Sequence, residues 1–393
     1  MIFPEFLADP ALRRVLACLP DARIVGGAVR DAIAGLPVSD IDLATALPPD
    51  DIVKALQKDR LRVIPTGIEH GTVTALVAEK TFEITTLRRD IATDGRRATV
   101  AFTDDWRQDA ARRDFTINAM SLAPSGEVFD YFSGLDDLRA GIVRFVGNPA
   151  TRIAEDYLRI LRFFRFHSRY ATRHAAPDPA ALHAIRAGVP GLAILSPERI
   201  WSEIGRILSA PDPADAVALM AELGVLEKIL PAADPTRLQR LIAAGAPPEK
   251  LLRLAALLTA PPPDIATLAA RLRLSTAEST RLEALTQPST LTPTADDNAI
   301  RRALADTEPD ILIDRMWLAS LTEPADWPTL RARAQKIPRP VFPLEGRDVL
   351  ALGLAPGPQI GALLEKTRAW WLAAGCTPDK NACRAELARH AAG

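Results

Sequence analysis

The sequence predicts an α+β protein: a small mixed sheet with helices on it, then an all-helical remainder. Two observations carry this expectation. Up to about residue 138, short β-branched or alternating runs interleave with amphipathic stretches. Beyond about residue 150, apolar residues recur at i, i+3 and i+4 between Pro and Gly breaks, and no run before about 330 reads as a strand.

With 393 residues, 48% hydrophobic and 25% charged, the chain has the length for two or more domains and an ordinary core. The opening MIFPEFLADPALRRVL carries early acids and no uninterrupted apolar stretch, which argues against a signal peptide or membrane span. Cys18, Cys376 and Cys383 are too scattered for a disulfide framework or a zinc site, so a reducing cytoplasm is expected. A net charge of −1 argues against indiscriminate nucleic-acid binding. Eight arginines against three acids between Asp137 and Arg173, and ten Lys/Arg against five acids from Arg331 onward, nevertheless leave two basic regions for a polyanion.

Taken in order, Ile24-Val25 reads as a short buried strand. Gly26 and Gly27 then permit close backbone approach or positive φ, and the helix that follows aims free N–H groups at an anion, with Arg30 one turn in. Asp40 and Asp42 share one face if the segment is extended, while Ile41 and Leu43 point into a core. Two adjacent carboxylates call for a cation, and an oxygen-only site suits Mg²⁺ with phosphate oxygens completing its shell. A solvated turn with two surface aspartates is the alternative.

Pro48-Pro49-Asp50-Asp51 opens a helix to about Gln57. Leu61 to Pro65, Thr72 to Val77 and Phe82 to Leu87 read as strands, the last two a hairpin through Glu79-Lys80. Residues 90 to 98, with an Asp94-Gly95 turn, read as a mobile loop. Arg112-Arg113-Asp114-Phe115-Thr116 leads into an apolar helix, Ile117 to Leu122; its charges can face a nucleotide or form surface ion pairs. A glycine-punctuated connector, Asp130 to Gly147, closes this region.

Ala154 to Tyr170 reads as one helix. Asp156 and Arg159, three apart, share a face, as do Glu155 and Arg159, and Arg162, Arg165 and Arg169 continue a stripe backed by phenylalanines. Intrahelical salt bridges would explain the pattern. An Asp and an Arg held together also present an acceptor and a planar donor fork, able to read the edge of a base. LSPERI, with Ser196 as cap and Pro197 at the first position, reads as a structural helix, and Trp370 and Trp371 as core.

GGAVRD (26–31), DID (40–42), RRDFTINAM (112–120), DYFSGLDDL (130–138), EDYLRILRFFR (155–165) and LSPERI (195–200), in this order, resemble the class II tRNA nucleotidyltransferases, the bacterial CCA-adding enzymes and related poly(A) polymerases of the polymerase-β-like superfamily. The resemblance covers nearly the whole chain. It implies a nucleotidyltransferase head (1–138), a helical neck that selects the base (139–210), a helical body (211–330) and a tRNA-binding tail (331–393). It implies addition of C, C and A to a tRNA 3′ end from CTP and ATP without a template, pyrophosphate leaving. Poly(A) polymerase and a catalytically silent RNA-binding protein are the alternatives.

By the same resemblance Gly26, Gly27 and Arg30 contact the triphosphate, Asp40 and Asp42 hold Mg²⁺ and carry catalysis, and Arg113 with Asp114 face sugar and phosphates. Asp156 and Arg159 select the base, with Arg162 and Arg165 helping to hold the nucleotide. A third carboxylate is expected at Glu83 or Asp114. The loop with Asp94-Gly95-Arg96-Arg97 resembles the flexible loop of full CCA-adding enzymes. Neither a membrane nor a protein partner is implied.

Overall fold

Seven strands form one mixed sheet in the computed structural model, in the order β3-β4-β5-β2-β1-β8-β9. They are β1 (Arg23–Val25), β2 (Asp42–Thr45), β3 (Arg62–Ile64), β4 (Thr72–Val77), β5 (Lys80–Thr86), β8 (Ser121–Leu122) and β9 (Val128–Phe129); β6 (Arg88–Thr93) and β7 (Ala98–Phe102) make a separate hairpin. The structure describes residues 2 and 4–392, except 65–66, 94–97, 173–174, 232, 260–263 and 324; for residues 70, 90–93 and 98–100 it describes the backbone alone. The chain divides into two compact units, Met1–Pro231 and Ala232–Gly393.

In the first unit β2 lies parallel to β5, and the other neighbouring pairs run antiparallel. Helices α1 (Pro10–Cys18) and α3 (Pro49–Lys58) close the sheet: their Leu12, Val15, Ile52 and Leu56 join Ile24, Leu43, Val73 and Ile84 in one buried cluster. Because strand side chains alternate, Leu43 and Ile84 in that cluster put Asp42 and Glu83 on the opposite side. These two acids are direct partners in the β2–β5 register. The hairpin predicted through Glu79-Lys80 forms, with Ala78 and Glu79 both at positive φ.

Three sequence expectations change here. Ile117 to Leu122 is not a helix: a 3₁₀ turn, Thr116–Asn118, precedes β8, whose Leu122 pairs with Ile24. A short apolar run does not choose between helix and strand by itself, and the open edge of β1 offered it backbone partners. Most of residues 90 to 98 lies in β6 and β7 rather than in a loop; Asp94-Gly95-Arg96-Arg97 fall outside the described residues. Asp40 precedes β2 and is not itself in a strand.

After α2 (Gly27–Ile33), α4 (Trp106–Ala111) and α5 (Gly134–Ala140), the rest of the first unit is helical: α6 (Pro149–Glu155), α7 (Leu158–Tyr170), α8 (Pro179–Gly188), α9 (Pro197–Leu208), α10 (Ala214–Glu222) and α11 (Val225–Ile229). The connector is fixed by contact rather than by length. A Cβ at Gly134 would lie 2.1 Å from the Thr116 carbonyl oxygen, so only glycine fits. Phe115 packs on Phe145 with centroids 4.8 Å apart, and Phe145 stacks on Phe163 of α7.

The helix expected over Ala154–Tyr170 breaks at Asp156, which is extended at φ −159° and ψ 108°. Its carboxylate accepts from the Leu158 backbone N–H at 3.0 Å and so satisfies a donor that an unbroken helix would have bonded internally. Ser196 stands at the N-cap of α9 without a side-chain capping bond, and Pro197 holds the first helical position.

The second unit consists of α12 (Pro235–Ala243), α13 (Lys250–Leu257), α14 (Ile265–Leu272), α15 (Thr276–Thr286), α16 (Asp297–Asp306), α17 (Pro309–Ala319), α18 (Trp327–Lys336), α19 (Gly346–Leu350), α20 (Pro358–Ala373) and α21 (Lys380–Ala392). Trp371 is buried with Val349, Cys383 and Leu387, and Trp370 packs against the same cluster, as core residues. No helix among the described residues is long and apolar enough to cross a membrane.

Candidate active site

The predicted residues converge on a cavity of about 500 Å³ in the first unit. Its lining contains Gly26, Gly27, Arg30, Asp42, Arg113, Asp114, Asp156, Arg159, Arg162 and Arg165. Of the predicted site residues, Asp40 and the candidate third carboxylate Glu83 lie elsewhere, in an adjoining cavity of about 720 Å³ that Asp42 also lines. Asp42 is therefore the wall common to both.

Each cation is aimed by a partner. Gly26, at φ +69°, turns the chain into α2, and a Cβ there would meet Arg113 Nη1 at 3.1 Å. Arg30 is buried: its Nη1 donates to Asn118 Oδ1 at 2.5 Å, its Nε donates to Asp31 at 3.0 Å, and its guanidinium lies over the rings of Phe166 and Tyr170. Tyr170 in turn donates its hydroxyl to Asp31. Because α2 has only seven residues, its dipole is short, and the arginines carry most of the positive potential. Arg113 pairs with Asp109 at 3.3 Å and donates to the Asn118 carbonyl.

Asp114 is saturated. One oxygen accepts from the Phe115 N–H and from Asn118 Nδ2, and the other from Arg162 Nε at 2.7 Å and Nη2 at 2.5 Å. Burial alone would raise its pKa, but Arg162 and Asn118 outweigh that and hold it below the ordinary carboxylate value. Arg165 faces the opposite balance: burial lowers it to about 10 against the attraction of Glu203.

Asp42 behaves differently. Although its side chain opens on the cavity, water is excluded enough to raise its pKa, and the negative charges of Glu83 and Asp40 raise it further against the pull of Arg113. Charge crowding of this kind is what a bound cation relieves, and the donors are all oxygens. Among the described residues no group of three or more metal-ligating side chains is already gathered around a point.

Asp156 and Arg159, the pair expected to select the base, are arranged otherwise than a single helix would place them. The Asp156 carboxylate and the Arg159 guanidinium are not bonded to each other, although the Arg159 N–H donates to the Asp156 carbonyl at 3.0 Å. Arg159 donates to the Arg152 carbonyl at 2.6 Å and to Glu155, whereas Asp156 accepts from Arg199 Nη2 at 2.7 Å. Arg152 reaches the carbonyls of Arg112 and Arg113, tying α6 to the RRD segment.

Sequence reasoning missed Asn118, Arg152, Phe166 and Arg199. Asn118 sat inside the RRDFTINAM motif and Arg199 inside LSPERI, but neither carried a signal of its partner, 88 positions away for Asn118 and 43 for Arg199.

Residues 22–144 match a family model described as the poly A polymerase head domain, and residues 176–236 one described as a probable RNA and SrmB-binding site of polymerase A. The mitochondrial CCA tRNA nucleotidyltransferase 1 of Mus musculus and that of Homo sapiens are each 38% identical over 92% of this chain and 85% of their own. The CCA-adding enzyme of Streptococcus gordonii is 39% identical over 56% of this chain and 54% of its own. Among solved structures, the Bacillus stearothermophilus CCA-adding enzyme in complex with CTP matches with a TM-score of 0.73 and 25% identity, covering 98% of each chain. The Thermotoga maritima CCA-adding enzyme complexed with tRNA has the same fold at a TM-score of 0.70 and 20% identity, over 99% of this chain and 96% of that one. The chain belongs to the CCA-adding tRNA nucleotidyltransferase family, within the polymerase-β-like superfamily.

Proposed function

We infer that this chain is a CCA-adding enzyme, extending the 3′ end of tRNA with C, C and A from CTP and ATP without a template. The observation that carries this reading is that Asp42, the phosphate-facing arginines and the Asp156–Arg159 segment all line one cavity of about 500 Å³. Six arginines against three aspartates on that lining suit a triphosphate, and the cavity is of a size for one nucleotide.

The tRNA 3′-hydroxyl attacks the α-phosphorus as the bond to the pyrophosphate oxygen breaks, and pyrophosphate leaves. Gly26 and Gly27 let the phosphates approach the backbone, and Arg30 and Arg113 neutralise them. Asp114, with every lone pair used, orients Arg162 and Asn118 rather than binding the sugar itself. Asp156 and Arg159 present acceptor and donors to the base edge, and Arg162 and Arg165 close the cavity around it.

The family uses a divalent metal, for which we propose Mg²⁺ held by Asp40 and Asp42. Bound there, it would lower the pKa of the attacking hydroxyl and neutralise charge on the phosphates. Glu83, the register partner of Asp42, is the better third carboxylate, since Asp114 is committed to Arg162. We divide the chain as head 1–138, neck 139–210, body 211–330 and tail 331–393, the basic tail contacting tRNA. Three free cysteines fit a reducing compartment, for which we propose the cytoplasm; fluorescence microscopy of a tagged chain tests that assignment.

Incubation with CTP, ATP, Mg²⁺ and a tRNA lacking its 3′ end is the test. Ordered addition of C, C and A is expected. A long A tail without C would make the chain a poly(A) polymerase, and no incorporation at all would make it a binding protein.

A further inference from the structure

A third cavity, of about 380 Å³, lies within the second unit among α12, α13, α15, α17 and α18. Leu258, Leu291, Leu318 and Trp327 line it with apolar surface, and two arginines, Arg237 on α12 and Arg315 on α17, line it as well. Each is half-buried and spends its Nε on the end of a neighbouring helix. Arg237 donates to the Ala256 carbonyl at 3.0 Å, and Arg315 to the Ala284 carbonyl at 2.7 Å.

Capping a helix C-terminus explains those two bonds and leaves the rest of each guanidinium unexplained. Neither arginine forms an ion pair among the described residues; Glu323, the one acid on the lining, pairs with neither. Burial lowers the pKa of Arg315, and lowers that of Arg237 despite the attraction of Asp234. A planar guanidinium with free N–H groups is the side chain best matched to a phosphate or carboxylate, and two of them on one partly apolar cavity select an anion with an apolar body.

We propose that this cavity binds a phosphate monoester with an apolar or aromatic organic group, the phosphate lying against Arg237 and Arg315 and the organic group against Leu291 and Trp327. The same monoester arises in a free small phosphate ester and in the 5′-terminal phosphate of an RNA strand.

The test is an NMR titration of the full chain, labelled with ¹⁵N-arginine, using phenyl phosphate as the probe, inorganic phosphate as the reference and a short 5′-phosphorylated single-stranded RNA as a third arm. Arg237→Lys and Arg315→Lys identify the two Nε–H resonances. Phenyl phosphate should move both with one saturating midpoint, well below that of inorganic phosphate. In Arg315→Gln the Arg237 response should need at least about tenfold more ligand, the loss of one charge-assisted contact. Displacement of phenyl phosphate by the RNA would identify nucleic acid as the source of the phosphate; no displacement would identify a free ester. Resonances that stay fixed up to millimolar probe, or that respond equally to inorganic phosphate, overturn the proposal. The titration of the unmodified chain is decisive even if a variant fails to fold.

Discussion

Arg199 on α9 holds the carboxylate of Asp156 at 2.7 Å, while Arg159, three residues from that aspartate, is held by Glu155 instead. The two groups proposed to face the base are thus each aimed by a different neighbour. Arg199→Ala should free Asp156 and blur the preference between CTP and ATP, as should Arg159→Ala. Both ion pairs are partly open to solvent, so thermal stability should fall by no more than about 1 kcal/mol. Competition between the two nucleotides in single-turnover incorporation checks this; lost stability with intact preference would return both arginines to a structural role.

Removal of Asp42 separates chemistry from binding. Asp42→Ala should reduce incorporation by about three orders of magnitude or more, since it deletes a proposed metal ligand. CTP binding measured without metal should remain within a fewfold of the parent, because the arginines are untouched. Glu83→Gln should lower the rate and raise the Mg²⁺ concentration required; a normal Mg²⁺ dependence would exclude Glu83 as the third carboxylate.

Asp114 gives a prediction about pH. Its folded pKa lies below the ordinary value, so the stability it contributes is fully present above about pH 4 and is lost as pH falls through the folded pKa. Asp114→Asn should cost about 3 kcal/mol at neutral pH, by stranding Arg162, and should flatten the acid limb of the stability curve. Urea denaturation at pH 3, 4 and 7 for both proteins measures the difference.

Gly134 tests the connector. A methyl group placed 2.1 Å from the Thr116 carbonyl oxygen has no flexible neighbour to displace, so Gly134→Ala must move α5 or the turn after Asp114. A loss of about 3 kcal/mol or more is expected, together with weaker nucleotide binding, whereas Gly361→Ala, within α20 and with open space around it, should leave nucleotide binding unchanged and raise stability by up to about 1 kcal/mol. Thermal melts with and without CTP separate the two effects.

The sequence by itself determined the fold class, the strands β3, β4 and β5, the helical remainder and most of the residues that line the cavity of the proposed site, because those depend on local periodicity, on turn residues and on motifs read in order. Gly26, Gly27 and Arg30 are adjacent in the chain, and so their joint use was legible there. Tertiary structure decided what depended on a distant partner. The edge of β1 turned Ile117–Leu122 into a turn and a strand, and Leu43 and Ile84 in the core set Asp42 and Glu83 side by side. The break at Asp156 redirected a predicted Asp–Arg pair toward Arg199 and Glu155. A side chain's type and spacing limit what it can bond, but which partner it takes depends on the backbone that folding brings to it, and that is settled only when the core closes.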